Sequence, residues 1–566
     1  MSLKAWINDA DVVKEMNVPL FLCAMFAAVS DIATSKPVVA ADQYLDGRNL
    51  VWNWFDDTLA AQKYILTGID YGYWSGLLGM TQFQKDFGRY DEESQGWIIP
   101  ASLQSAGSGL PIAGLAVGSL ASGWVGNALG RVRTLQISTV VAVIGVLIQS
   151  TAFKSYWQLV VGRVVNAVGL GIMANCIPAY LAEISPLKIR GTLINFYQTS
   201  MGIGGLTVSC VTLSTHDRTD QWAYRIVIII QFIIPVGFLA ATFFLPESPR
   251  WLVGKDRRAE AEKALTRLRP NTALEVLQEE TALIVAQELE NSAHFSKSWK
   301  ECFRGTNFRR TMIVVGVQCL QQSQGNSYMS SYRIIFLQAL GMQSVYKLGV
   351  LFMLEMVLAC ACAFYFADRL GRRPILTFTA FFMTATMFIT TGVATSGLAS
   401  DPAVMKGALA CMFIWDICMN FGWSSCVWMV TAETPSLQLR EKSIMIATFT
   451  GFCVSVLVSF VSPFIQADDA GALGARIGYV FAAISIVATI WAFFFLPETG
   501  SRSLEELDEL FQNKVSVWKF KKYQTHGYGA QLAIIEGSTP AEDGIKAQAI
   551  TVRVKDQAST ASVASS

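Results

Sequence analysis

Leu129-Gly130-Arg131 ends one long apolar stretch of this chain, and Leu370-Gly371-Arg372 ends another about half a chain length later. Two further motifs recur at nearly the same separation: Glu183 with Arg190 and Glu433 with Arg440, and Pro246-Glu247 and Pro497-Glu498. Charged residues that cluster at the ends of apolar stretches are typical of membrane-spanning helices. The repeat therefore predicts two similar halves, both embedded in a membrane.

The composition of the 566 residues agrees with a membrane protein. Hydrophobic residues make up 52% of the chain and charged residues 15%, whereas soluble domains carry about 25% charged residues. The net charge of +1 gives no reason to expect a nucleic-acid partner. The 11 cysteines lie mostly inside apolar stretches, without the spacing of metal ligands or of a disulfide framework. We expect them to be packing residues, and we expect no metal and no cofactor.

Eleven apolar stretches are long enough to cross a bilayer, which takes about 20 residues. They fall near residues 101–126, 134–152, 157–181, 191–213, 222–245, 311–337, 346–367, 374–395, 405–431, 443–465 and 477–496. One position remains for a further span, near residues 18–80. The predicted fold class is therefore an all-α membrane protein with twelve transmembrane helices in two six-helix pseudo-repeats.

The loops divide the chain and orient it. Lys and Arg concentrate in the loops that contain Arg131, Arg190, Arg372 and Arg440, which predicts that this side and both termini face the cytoplasm. The expected domains are a six-helix half over 1–245, a cytoplasmic amphipathic linker over 246–310, a second half over 311–496 and a mostly disordered cytoplasmic tail over 497–566. We expect a multi-pass protein of the plasma membrane that functions as a monomer.

The first span is interrupted in the sequence. Residues 18–28 are apolar but too short to cross, residues 29–67 carry many charges, and apolar sequence resumes near Gly68. Joining 18–28 directly to 68–80 gives a stretch of spanning length with Asp70 inside it. Because charged loops are not tolerated within the hydrocarbon region, we interpret residues 29–67 as a retained intron. The alternative is a genuine insertion that forms an excursion outside the bilayer.

Several motifs resemble those of the sugar porters of the major facilitator superfamily. They lie in the family's order between residues 68 and 510: Gly68-Ile-Asp-Tyr-Gly72, Pro178-Ala-Tyr-Leu-Ala-Glu183, Pro246-Glu-Ser-Pro-Arg250, Gln321-Gln322-Ser-Gln-Gly325, Ala367-Asp-Arg-Leu-Gly-Arg-Arg373 and Leu496-Pro-Glu-Thr-Gly500. The stretch from Glu433 to Arg440 leans toward the fungal α-glucoside and disaccharide permease branch. The resemblance implies the major facilitator fold and a transporter rather than an enzyme.

The resemblance also implies roles for single residues. Asp70 and Arg163 match a pair that couples proton binding to conformational change, with a fixed structural ion pair as the alternative. The positions that match the family's sugar contacts are Gln198, Gln321, Gln322, Asn326, Ser327, Tyr332 and Trp428. A cytoplasmic gate is expected from Arg131, Glu183, Arg190, Glu247, Arg250, Asp368, Arg372, Glu433, Arg440 and Glu498. The glutamines could instead form structural hydrogen bonds between helices. The arginines could instead only set the topology of the chain in the membrane.

The resulting hypothesis is a secondary transporter that imports a sugar with a proton by alternating access. Ser327 replaces an Asn that is usual in the family, and Gly451 replaces an amide, so a larger sugar, a polyol or an acid such as quinate stays open as the substrate. The rival hypotheses are a proton-coupled carrier of a non-sugar metabolite, a sugar uniporter and a transporter-like nutrient sensor. Glu355 and Asp416, also inside spans, have no motif assignment and are left as polar contacts in the central cavity.

Overall fold

The computed structural model describes residues 68–70, 72–91, 96–152, 155–184, 190–268, 299–339, 342, 344–396, 401–436, 439–466, 473–500, 504–520 and 523. The side chains of Glu183, Arg190 and Asp368 lie outside this description. The two segments that define the predicted interruption of the first span, 18–28 and 29–67, also lie outside the described residues.

The N-terminal half is a series of long helices that ends at Thr242. Helical residues 68–70 and 72–78 (α1) lead into α2, Thr81–Phe87, and into a small hairpin of β1, Arg89–Asp91, and β2, Gly96–Ile98. The following helices are α3, Ala101–Leu129; α4, Arg131–Ser150; α5, Tyr156–Ile184; α6, Arg190–Thr215; and α7, Trp222–Ile229, which continues through the 3-10 turn Ile230–Phe232 into α8, Ile233–Thr242.

Two short helices occupy the described part of the segment between the halves. They are α9, Pro249–Gly254, and α10, Arg258–Leu268. The Ser248 side chain caps α9 by accepting from the backbone N–H of Trp251. Leu252 of α9 packs with Ala261 and Ala264 of α10, while most of the remaining side chains of α10 are exposed. One apolar face and one solvated face are the pattern of an amphipathic helix.

The C-terminal half repeats the plan of the first. Its helices are α11, Gly305–Gln321, which continues through the π-helical segment Gln322–Asn326 into α12, Ser327–Ala339; α13, Val345–Leu370; α14, Arg372–Thr395; α15, Pro402–Cys418, which continues through the π-helical segment Met419–Ser424 into α16, Ser425–Glu433; α17, Arg440–Gln466; and α18, Ile477–Phe495. Across the two halves, each of the eleven predicted apolar spans coincides with one helix or with one pair of helices.

The long helices have the surface of membrane spans. Among the described residues, nine helices are long and apolar enough to cross a membrane. Large apolar side chains project outward from them, including Trp124 at 78% exposure, Phe378 at 65% and Leu457 at 63%. A soluble bundle would not leave so many apolar side chains in water. The predicted all-α membrane fold is confirmed, and the β1–β2 hairpin, in which Tyr90 pairs with Trp97, is the only addition to it that the described residues show.

Small residues let the helices of the N-terminal half approach closely. A Cβ added at Gly171 on α5 would lie 2.3 Å from the carbonyl oxygen of Leu115 on α3. On the neighbouring face, a Cβ at Gly145 on α4 would lie 2.3 Å from the backbone nitrogen of Asn166. Such contacts are the usual way to pack helices in lipid, where no hydrophobic force drives them together. They hold α5, which carries Arg163, against both neighbours.

The beginning of the predicted tail is folded. Residues Leu504–Gln512 form α19, whose Leu507, Leu510 and Phe511 are at most 1% exposed. Asp508 forms an ion pair with Arg310 at the start of α11. Residues 504–512 of the predicted tail therefore form a helix whose apolar side is buried. Residues 524–566 lie outside the described part of the chain.

Candidate functional site

Asp70 is buried in the N-terminal half, with 6% of its surface exposed. Its Oδ1 accepts a 2.9 Å hydrogen bond from the Nδ2 of Asn166 on α5. Among the described residues, no side chain forms an ion pair with it. A buried carboxylate is costly without a compensating positive charge. The charge state of Asp70 is therefore tied to the position of the nearest cation, Arg163.

Arg163 lies one helical turn before Asn166 on α5, and its guanidinium contacts groups other than the Asp70 carboxylate. Its Nη1 donates a 2.5 Å hydrogen bond to the carbonyl oxygen of Gly107 on α3, and its guanidinium carbon lies 3.9 Å from the ring centroid of Trp74. This stacking is a cation–π contact. The sequence predicted Asp70 and Arg163 as partners, and the structure places them in one cluster without a direct ion pair.

Polar side chains from two other spans complete this cluster. The Tyr73 hydroxyl donates a 2.9 Å hydrogen bond to Oε1 of Gln149 on α4. Gln231, in the turn between α7 and α8, is fully buried beside Tyr73, and neither of its amide atoms has a partner among the described residues. Sequence analysis missed Asn166, Gln149 and Gln231 because no motif marks them. An amide inside an apolar span is the signal that could have found them.

A second polar chain runs through the bent seventh span of the C-terminal half. Gln321 Nε2 donates to the carbonyl oxygen of Trp423 at 3.0 Å, and Gln322 Nε2 donates to Gln321 Oε1 at 3.2 Å. The Ser327 hydroxyl lies 2.8 Å from both Gln322 Oε1 and Ser455 Oγ. The sequence predicted three of these residues, and the structure brings them together. Each primary amide keeps a second hydrogen for a further acceptor.

Gly325 produces the bend that brings this chain together. Its φ is +105°, inside a π-helical segment whose neighbours are helical. Non-glycine residues seldom adopt this conformation. The bend separates α11, which ends at Gln321, from α12, which begins at Ser327. Short π-helical segments are common at functional sites.

The remaining predicted substrate residues lie around this chain in different environments. Gln198 is 7% exposed on α6, Asn326 is half-buried, and Trp428 is half-buried on α16, which packs against α6 and α11. Tyr332 is 1% exposed, and its hydroxyl lies 2.9 Å from the carbonyl oxygen of Ser459 and 3.2 Å from that of Gln104. Tyr332 thus joins α12 to both halves of the molecule in this conformation.

Gly451 lies beside a glutamine that sequence analysis did not select. A Cβ at position 451 would lie 3.3 Å from the Cβ of Gln318 and 3.5 Å from its Oε1. Gln318 Nε2 donates to Thr431 Oγ1 at 3.1 Å. Even a methyl group at position 451 would therefore press against the Gln318 side chain.

The two halves close against each other at the end of the bundle opposite Arg131 and Arg372. The backbone N–H of Ile334 donates to Ser75 Oγ at 3.0 Å, and Ser105 Oγ donates to the carbonyl oxygen of Phe460 at 2.7 Å. A cavity of about 30 Å³ lies between the two halves at this end. Its polar lining includes Ser75, Ser209, Thr212, Ser330 and Arg333. This volume holds about one water molecule, so the two halves pack closely at this end.

The repeated motifs at the charged end form two equivalent helix caps. Glu247 Oε1 accepts from the backbone N–H of Arg131 at 2.8 Å, at the start of α4. Glu498 Oε1 accepts from the backbone N–H of Arg372 at 2.9 Å, at the start of α14. The first N–H groups of a helix have no partner within it and favour a negative charge. Glu247 and Glu498, two of the predicted gate carboxylates, therefore bind helix ends.

The gate arginines differ in their surroundings. Arg372 Nη2 donates to Glu433 Oε1 at 3.0 Å, and Thr499 donates to the other oxygen of Glu433 at 2.7 Å. Arg250 is exposed, and Arg440 is half-buried at the start of α17. The C-terminal half thus has a partly buried network at this end, which joins the predicted residues Arg372 and Glu433 to Thr499.

Replacing Gly371 by Ala is expected to destabilise the protein. Gly371 has φ of +90°, and a Cβ there would lie 2.5 Å from Glu498 Oε2. Such backbone strain costs about 1–3 kcal/mol, and the clash would also displace the cap of α14. We expect a lower midpoint of thermal unfolding for the purified protein in detergent.

Gly407→Ala is the matched control for Gly371→Ala, because a Cβ at position 407 in α15 meets nothing within 4 Å. Ala is favoured over Gly inside a helix by about 0.5–1 kcal/mol, so this variant should unfold at the same or a higher temperature. Equal shifts for the two variants would contradict the capping interpretation.

Three ionisable side chains of the C-terminal half also meet inside the bundle. Arg333 Nη2 lies 3.0 Å from Asp416 Oδ1, and Glu355 lies beside this pair. Sequence analysis noted Glu355 and Asp416 without a role and missed Arg333. An arginine within an apolar span is the signal that could have found it.

Comparison with known proteins identifies the family. A family model described as "Sugar (and other) transporter" matches residues 58–511. The match begins inside the segment 29–67. The low-affinity glucose transporter HXT3 of Saccharomyces cerevisiae is 29% identical over 468 residues, which cover 80% of this chain and 81% of that protein. The major facilitator-type transporter ecdD of Aspergillus rugulosus is 29% identical over 477 residues, with coverage of 82% and 88%. The α-glucoside branch stays a prediction.

Solved structures agree on the fold. The structure of the proton:xylose symporter XylE bound to 6-bromo-6-deoxy-D-glucose, a protein of E. coli, matches with a TM-score of 0.67 at 21% identity and covers 82% of this chain and 100% of that chain. This similarity supports the twelve-helix major facilitator fold. The chain is a multi-pass membrane protein and not an enzyme, and it belongs to the sugar (and other) transporter family.

Proposed function

We propose that this protein imports a sugar together with a proton by alternating access. The observation that carries the proposal is the cluster around Asp70, in which a buried carboxyl and a buried guanidinium lie close without forming an ion pair. Ionised Asp70 attracts Arg163 and neutral Asp70 does not, so proton binding changes the energy of one arrangement relative to another. A ligand shifts a conformational equilibrium only through such a difference.

The hydrogen bonds of Arg163 give this difference a structural consequence. Gly107, its acceptor, lies on α3, two residues after Ser105, which donates across the halves to Phe460 on α17. If Arg163 moves toward an ionised Asp70, it leaves the Gly107 carbonyl without this donor. The protonation state of Asp70 is thereby linked to the helix that closes the bundle.

The substrate proposal rests on the chain of amides in the seventh span. Sugars present hydroxyl groups that both donate and accept hydrogen bonds, and primary amides match them in both respects. Gln321, Gln322 and Ser327 are aligned at the bend after α11, with Trp428 and Gln198 on neighbouring helices. Relatives named as glucose and fructose transporters support a hexose as the substrate.

The proposal also includes the orientation of the chain, the boundaries of its domains and its location in the plasma membrane. The end that carries Arg131 and Arg372 faces the cytoplasm by the charge bias of its loops, so the closed contacts near Ser75 face outward. The halves 1–245 and 311–496 rock against each other, and the linker 246–310 and the tail 497–566 stay cytoplasmic. The protein acts as a monomer in the plasma membrane.

Sugar uptake should respond to the proton gradient. In yeast that lacks its own hexose transporters, cells expressing this protein should accumulate a radiolabelled, non-metabolised glucose analogue above its external concentration in acidic medium. A protonophore should reduce the accumulated analogue to the external level. Parallel assays with maltose, xylose and quinate test the range of substrates.

Other outcomes of this assay favour the rival functions. Uptake that equilibrates and ignores the protonophore would indicate a uniporter. Uptake of quinate alone would indicate a carrier of acids. A surface-expressed protein that moves none of these compounds would contradict the proposal and favour a nutrient sensor.

A further inference from the structure

Arg333, Glu355 and Asp416 come from three different helices of the C-terminal half and meet inside the bundle. Arg333 lies on α12, Glu355 on α13 and Asp416 on α15. The Arg333–Asp416 ion pair measures 3.0 Å, with side-chain exposures of 12% and 4%. The guanidinium carbon of Arg333 also lies 5.0 Å from the ring centroid of Phe352. The arginine is therefore fixed between a carboxylate and an aromatic ring.

Glu355 has no such partner. Both of its carboxyl oxygens are buried, and neither has a hydrogen-bond partner among the described residues. Asp416 Oδ2 and Asn420 Nδ2 also have no hydrogen-bond partner among the described residues. Both residues are more than nine-tenths buried. Asp416, Asn420 and Arg333 all lie close to the Glu355 carboxyl. Unsatisfied polar atoms are rare in protein interiors and require an explanation.

The charges of this group do not balance. Two carboxylates and one guanidinium sum to a negative charge, and an uncompensated charge inside a membrane bundle is costly. Asp416 already holds Arg333, so one proton on Glu355 makes the group neutral. Around Glu355, the described residues of α6 from 198 to 215 carry no charged side chain, and the nearest other titratable groups are the thiols of Cys360 and Cys418.

The more distant charges on the neighbouring helices do not change this balance. Arg372 of α14 and Glu433 of α16 pair with each other. They lie near the end of α13, which is fifteen residues beyond Glu355 and so about 22 Å along the helix axis. Their opposite charges compensate each other, so they leave the net negative charge of the group at Glu355 unchanged.

We infer that Glu355 is a second proton-binding site of this transporter, in the half of the molecule opposite Asp70. The bound proton keeps Arg333 with Asp416. Loss of the proton creates a second carboxylate that competes for the same guanidinium. The site binds a proton rather than a metal cation, because Arg333 already supplies a positive charge at its centre.

The site is connected to the closure of the bundle through α12. Arg333 lines the cavity between the halves, and the next residue, Ile334, donates its backbone N–H to Ser75 on α1. A competing carboxylate on α13 would therefore act on the segment that closes the outer end. The physiological role of the site rests on the proposed transport function, whereas proton binding itself does not.

Infrared difference spectroscopy of the purified full chain tests proton binding without any substrate. A protonated carboxyl has its own carbonyl stretch, which disappears when the group ionises. Exposed carboxyls ionise near pH 4, so the band is followed above about pH 6. We expect a band that is lost as pH rises through this range to persist in Asp70→Asn and to vanish in Glu355→Gln. Glu260→Gln, an exposed glutamate of α10, is the matched control and should keep the band.

Several results would overturn the inference. A Glu355→Gln protein that keeps every titrating carboxyl band would do so, as would loss of the band in Asp416→Asn with retention in Glu355→Gln. If Glu355→Gln fails to fold, the Asp70→Asn protein still tests the inference. Absence of any carboxyl band that titrates above about pH 6 in that protein would exclude a second site.

Exchange of labelled glucose at equal pH on both sides gives the functional comparison. In the Asp70→Asn background, exchange should slow as pH rises, because an ionised Glu355 carries an uncompensated charge through the conformational change. Adding Glu355→Gln should make the rate independent of pH over the same range. An unchanged pH profile in the double variant would contradict a role for Glu355 in transport, while the infrared result would still decide proton binding.

Discussion

Asp70→Asn is expected to abolish accumulation of sugar against its gradient and to leave exchange across the membrane active. An asparagine has nearly the shape of a protonated aspartic acid, and its Oδ1 can still accept the hydrogen bond from Asn166 Nδ2. The fold should therefore survive. The variant cannot ionise, so it cannot attract Arg163 at one stage of the cycle and release it at another. Coupling to the proton gradient should be lost completely.

The measurement is the steady-state ratio of internal to external analogue, together with counterflow, at matched surface expression. We expect the ratio to fall to unity in Asp70→Asn while counterflow persists. Asp217→Asn is the matched control, because the Asp217 side chain is 92% exposed in a loop and its loss should leave the ratio unchanged. A variant at position 70 that concentrates the analogue as well as the parent protein would exclude Asp70 as the coupling site.

The membrane spans could be predicted because the bilayer imposes length and composition on each helix. Apolar stretches such as 134–152 and 477–496 correspond to α4 and α18 with shifts of a few residues at their ends. The sequence did not indicate that α4 begins directly at Arg131. That start depends on Glu247, more than a hundred residues away, which caps the helix.

The candidate site was only partly predictable, because its residues converge through tertiary packing. Motifs selected Asp70 and Arg163 but implied an ion pair, whereas Arg163 binds Gly107 on another helix. Tyr332 was predicted to contact sugar, and in this conformation its hydroxyl binds carbonyl oxygens of α3 and α17. Both differences follow from backbone carbonyls, which no sequence pattern identifies as acceptors.

The helix in the tail could not be predicted from the sequence for a different reason. Its Ser-, Ala- and Thr-rich composition belongs to the segment beyond the described residues, while 504–512 is a short amphipathic helix. Arg310 and Phe511 form part of its docking contact, with the guanidinium carbon 4.5 Å from the ring centroid. One helix of nine residues is marginal in isolation, so its folding depends on the surface of α11 rather than on local sequence.

Gln322→Ala is expected to weaken substrate binding strongly. Gln322 is the central member of the polar chain, since it donates to Gln321 and accepts from Ser327. Its removal takes away one amide for the sugar and also frees the Gln321 carbonyl oxygen from the donor that orients it. A lost buried hydrogen bond costs about 1–3 kcal/mol, which corresponds to a rise in apparent KM from about fivefold to about a hundredfold.

Gln324→Ala separates substrate binding from helix packing. Gln324 lies in the same π-helical segment and is fully buried, but its Nε2 donates to the Leu320 carbonyl oxygen of its own helix at 3.1 Å. A purely structural role for these glutamines predicts similar losses of surface expression and thermal stability in both variants, with unchanged apparent KM. A substrate role predicts a raised KM only in Gln322→Ala. The concentration dependence of analogue uptake, normalised to surface protein, decides between them, because only a residue that contacts sugar changes the half-saturating concentration without reducing the amount of folded transporter.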